Sequence, residues 1–76
     1  MANREHIDAR AMMVDLLLQK VAEDLYPSNT MMDFLEELML PHEVPAYAAV
    51  LMEKMRDETY PSVSMMRRLV GLLEAA

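Results

Sequence analysis

Seventy-six residues with no cysteine, one glycine and a formal net charge of −6 make a small domain that neither a disulfide framework nor a thiolate metal site can reinforce. An apolar content of 54% argues against intrinsic disorder, and the scarcity of glycine argues against a turn-rich β fold, which leaves packed helices. Seven basic residues against thirteen acidic ones supply no electrostatic footprint for nucleic acid.

The opening residues Met1 to Asp8 are charged and lack the apolar core of a signal peptide, so a cytoplasmic location is expected. A first helix is predicted from Asn3 or His6 to Leu25. Ile7, Ala11, Val14, Leu18, Val21 and Leu25 recur at alternating spacings of 4 and 3, an uninterrupted apolar seam that Leu17 widens. Met12 and Leu16 point almost opposite that seam, with Ala9 nearby. The apolar run Leu16-Leu17-Leu18 is far too short to cross a bilayer, so no membrane association is expected.

Pro27 ends this helix, because the residue before a proline is pushed out of the α region. Ser28 or Thr30 is positioned to cap a second helix over Asn29–Leu40, and Thr30 with Asp33 reads as a variant capping box. Its apolar face is expected to hold Met31, Phe34, Leu35 and Leu38, opposite Asp33, Glu36 and Glu37. A proline-bounded linker, residues 41–45, follows. A third helix is predicted from Pro45 to Glu58, burying Tyr47, Ala48, Leu51, Met52 and Met55 with Val50 off that face. A fourth spans Val63–Glu74, with Met65, Leu69, Leu72 and Leu73 inward.

These four segments are one unit written twice. Tyr26-Pro27-Ser28 with Met31-Met32 returns 34 positions later as Tyr60-Pro61-Ser62 with Met65-Met66, and Leu17/Leu51, Lys20/Lys54, Leu35/Leu69 and Leu38/Leu72 match in the same register. The period is that of tetratricopeptide repeats, but their Trp, Gly and Ala positions are missing and two repeats are too few for a solenoid. The expected fold is therefore all-α: a single domain over residues 1–76, a four-helix pseudo-twofold bundle made of two repeated helical hairpins (about 3–40 and 45–76), one covering the other. The two tyrosines are expected to pack over their own hairpins.

Charge distinguishes the repeats. Where the first has Asp33, Phe34, Glu36 and Glu37, the second has Arg67, Arg68, Val70 and Gly71. Asp33 or Glu37 is thus placed to pair with Arg67 or Arg68 across the pseudo-twofold axis, or with a second molecule. Val70, Val50 and Leu40 join Met12 and Leu16 as apolar residues without an obvious internal use. The ten methionines serve as core filler or, on a surface, as an adaptable contact.

No catalytic constellation emerges. The serines sit where caps belong, His6 lies near the chain start, and His42-Glu43 with Glu37 falls short of a metal-ligand set. One glycine builds no phosphate-cradling loop. No cofactor or metal is expected. The sequence points to a non-enzymatic protein-interaction module (an adaptor, inhibitor or regulatory subunit) with a protein partner, possible as a homodimer. Its contacts are expected at Met12 and Leu16, and then at Asp33, Glu36 and Glu37. Two alternatives come from other classes: a DNA-binding regulator whose dimer gathers Arg67 and Arg68, and a structural protein that self-assembles through complementary charge.

Overall fold

In the computed structural model, which describes residues 8–59 and 62–75, helix α1 (Ala9–Glu23) begins where Asp8 caps it. The Asp8 backbone is extended and its carboxylate accepts the Ala11 N–H at 3.2 Å, satisfying one of the orphan donors of the first turn. The described helix starts at Ala9, and Asn3, His6 and Ile7 of the expected first helix lie outside the described residues. At the other end Asp24 is extended, its N–H donating to the Lys20 carbonyl at 3.0 Å. The chain has left the helix before Leu25, as the approach to Pro27 requires of its neighbours. Leu25 is consequently exposed rather than part of the seam, and the buried residues of α1 are Val14, Leu17 and Val21.

Ser28, in extended backbone, supplies the next cap: its Oγ accepts the Met31 N–H at 3.0 Å and starts α2 (Asn29–Leu38). Thr30 lies inside the helix, so the alternative capping box with Asp33 does not form. The Met39 N–H closes on the Leu35 carbonyl, and α2 stops at Leu38 rather than Leu40. Met32 and Leu35 are its buried residues, while Met31 is half-buried and Phe34 is 52% exposed. The buried stripe is therefore rotated from the expected Met31–Phe34–Leu35–Leu38 face. With two methionines adjacent, periodicity fits either neighbour, and packing selects Met32.

Helices α1 and α2 form one hairpin. The Pro41–Glu43 segment is not a free linker but a 3-10 turn running directly into α3 (Val44–Asp57). A Glu43 carboxylate oxygen accepts the Leu40 N–H at 2.7 Å and fixes that turn. Pro45 occupies the first turn of α3, where its missing N–H costs nothing. Tyr47, Ala48 and Leu51 are buried and Met55 half-buried. Met52 is 41% exposed, against expectation, because it lies beyond the edge of the stripe, about 100° around the helix from Leu51.

Helix α4 (Val63–Ala75) opens on Ser62, whose Oγ accepts the Met65 N–H at 3.2 Å. It buries Met65 and Leu69, half-buries Leu72 and leaves Leu73 exposed. Leu73, expected inside, falls on the margin of the Met65–Leu69 stripe. Helices α3 and α4 make the second hairpin.

The architecture is all-α: four helices and no strand among the described residues, in two compact units, Met1–Met39 and Leu40–Ala76. Residues 34 positions apart do similar work, each in its own hairpin. Ser28 and Ser62 cap, while Leu17 and Leu51, and likewise Leu35 and Leu69, are buried. The methionine pairs depart from this, since Met32 is the buried member in the first hairpin and Met65 in the second. Tyrosine also defies expectation. Tyr26 is 80% exposed instead of packing over its hairpin, and Tyr60 and Pro61 lie outside the described residues.

Candidate interaction surface

Helix α1 is apolar on two sides. Away from Val14, Leu17 and Val21 lie Ala9, Met12 and Leu16, and Met13 completes an i, i+3, i+4, i+7 set with them while bordering Leu17 one turn ahead. Met12 is 61% exposed, Leu16 49% and Met13 43%. Met12 and Leu16 thus stand together, one turn apart, as the sequence indicates. Met13 belongs to the same patch but escapes a reading centred on Met12 and Leu16; its spacing of three from Leu16 is the signal that finds it.

The charges bordering this patch are mostly negative. Asp8 and Asp15 lie one turn to either side of Met12, Lys20 follows Leu16 by one turn, and Glu23 closes the helix; all are exposed. Gln19 donates through Nε2 to the Glu23 carboxylate at 3.0 Å. Arg10 points elsewhere, its Nη1 donating to the Leu38 carbonyl at 2.9 Å and its Nη2 reaching Asp8 at 3.4 Å.

On α2 the three expected carboxylates divide. Asp33 and Glu37, one turn apart, are exposed on the face that also carries Phe34, whereas Glu36 is half-buried on the flank of Met32. Phe34, read from sequence as core, is thereby added to the exposed acidic face.

On α4, Arg67 is exposed and Arg68 half-buried. Consecutive helical residues diverge by about 100°, so the two guanidinium groups leave the helix in different directions. Val70 and Gly71 are exposed, as is Leu40 before the 3-10 turn, and Val50 is half-buried.

His42 is exposed with its Nε2 4.0 Å from the Glu43 carboxylate. Among the described residues no three His, Cys, Asp or Glu side chains group to hold a metal ion. No described helix is long and apolar enough to cross a membrane.

Charge is unevenly divided between the hairpins. Met1–Met39 holds eight acidic and three basic residues, a net of −5, while Leu40–Ala76 holds five acidic and four basic, a net of −1. No protein-family model matches the chain, and no curated protein or solved structure matches it.

Proposed function

We propose that this protein is a non-enzymatic protein-interaction module acting in the cytoplasm, and that the outer face of α1 is its principal contact surface. One observation carries the reading: Met12 and Leu16 stand together in solvent on the side of α1 away from its buried seam, with Met13 exposed at the margin between them and Leu17. Single exposed apolar side chains are ordinary, but a contiguous group marks a contact site. Fully burying a leucine or methionine side chain from water contributes about 1.5–3 kcal/mol, and these three, each about half exposed, have roughly half of that still to gain in a complex. The acidic face of α2, with Asp33, Glu37 and the exposed Phe34, is a second contact region on the same hairpin.

Affinity capture from the native host with the wild type and a Leu16→Glu variant tests the reading. A partner retained by the wild type and lost by a variant of unchanged helicity is the expected result. Leu16→Glu retaining every partner removes α1 as the surface, and its unfolding places Leu16 in the core.

A further inference from the structure

The chemistry of the exposed face on α1 specifies its occupant, on the premise that this face is a contact surface. Met12, Met13 and Leu16 present an apolar strip one helix-face wide, and an amphipathic helix laid along it is the shape such a strip accepts. Two of the three anchors are methionines, whose unbranched thioether chains re-pack around different partner side chains.

The sign of the partner follows from the border. Asp15 and Glu23 border the strip with Lys20, Asp8 being paired with Arg10 at 3.4 Å, and the hairpin as a whole carries a net charge of −5. A second copy seated through the same hairpin would bring another −5 against it, and one seated through its second hairpin, at −1, still brings no net positive charge, so neither matches the border as a cationic segment does. Phosphate backbones and anionic lipid headgroups carry the same unfavourable sign. A segment with lysine or arginine on either side of an apolar stripe matches both features at once. We infer that the α1 face of the first hairpin binds a basic amphipathic helix of a protein partner, seating its apolar stripe on Met12, Met13 and Leu16 and its cations beside Asp15 and Glu23.

Two designed peptides of about 18 residues, long enough to form a helix, test this directly. Both carry leucine at the same i, i+3, i+4, i+7 positions; one has lysine and the other glutamate on the polar face. Each is titrated into the full chain by calorimetry, at low and at high salt. The lysine peptide is expected to bind and to weaken roughly tenfold in high salt, as screened charge pairs do, while the glutamate peptide does not bind.

Leu16→Gln and Met12→Gln, which leave charge and helix propensity intact, are each expected to weaken the lysine peptide about tenfold. Asp15→Lys is expected to weaken it as well, with circular dichroism of all three variants matching the wild type. Equal binding of both peptides that is lost in Leu16→Gln overturns the basic partner while leaving α1 a contact surface. Binding that neither Leu16→Gln nor Met12→Gln alters overturns both. Failure to bind either peptide, or a chain that doubles its own mass through Leu16 in sedimentation, overturns the basic helix as occupant.

Discussion

Arg10 reaches from the first turn of α1 to the last residue of α2, its Nη1 donating to the Leu38 carbonyl oxygen at 2.9 Å across 28 positions of sequence. That carbonyl is one of the four that a helix leaves without an intrahelical donor. A guanidinium there satisfies it and meets the negative end of the α2 dipole. The contact ties together the two ends of the hairpin that lie farthest from its turn. Arg10→Met, which keeps the aliphatic stem, is expected to destabilise the protein by about 1–2 kcal/mol in urea unfolding, with Arg10→Lys intermediate. Equal stability of Arg10→Met and the wild type removes this clasp from the account.

The helix caps make a matched pair. Ser28 and Ser62 each accept the N–H three residues ahead, at 3.0 and 3.2 Å. Ser28→Ala and Ser62→Ala are each expected to cost about 1 kcal/mol, and replacement by Asp to cost little, because a carboxylate serves the same donor and suits the helix N-terminus. Thermal melts of the four variants check this; an alanine variant melting with the wild type shows its cap to be idle.

Leu35 and Phe34 are neighbours with opposite fates. Leu35 is fully buried and Phe34 is 52% exposed. Leu35→Ala is expected to cost about 2–5 kcal/mol, a large share of what a domain of this size possesses, so this variant unfolds in whole or part. Phe34→Ala, though it deletes more atoms, is expected to change stability by under about 1 kcal/mol. The reverse order in denaturant titrations contradicts the helix register described for α2.

Gly71 occupies the interior of α4, exposed, and apart from its chain neighbours and the helix's own nearby backbone nothing lies within 4 Å of where a Cβ would stand. Glycine at such a place costs roughly 0.5–1 kcal/mol relative to alanine through backbone entropy. Gly71→Ala is therefore expected to raise the melting temperature, and a lowered one indicates that this part of the helix is not free of contacts.

The type and order of the helices are legible in the sequence because strong local rules agree. Proline at positions 27, 41, 45 and 61, serine before each second helix and the alternating spacing of Ala11, Val14, Leu18 and Val21 all point the same way, although packing buries Leu17 in place of Leu18. Rotation about a helix axis is less legible. Where apolar residues are adjacent, as at Met31-Met32, Phe34-Leu35, Leu51-Met52 and Leu72-Leu73, periodicity assigns a face only to within one neighbour, and tertiary packing makes the choice. The same ambiguity conceals Phe34 on the acidic face of α2 and Met13 on the apolar face of α1. Met12 and Leu16 are readable because the seam opposite them is already complete.

Leu16 lies at the surface where its neighbour Leu17 is core, and the proposed contact face depends on that difference. Urea unfolding of Leu16→Glu and Leu17→Glu, measured side by side, tests this most directly. Leu17 is 8% exposed, so a carboxylate at that position is buried without a partner and the variant is expected to unfold. Leu16→Glu is expected to keep the wild-type midpoint within about 0.5 kcal/mol, as surface substitutions do. A Leu16→Glu variant that loses stability as Leu17→Glu does would place Leu16 in the core and leave the proposed surface without its anchor.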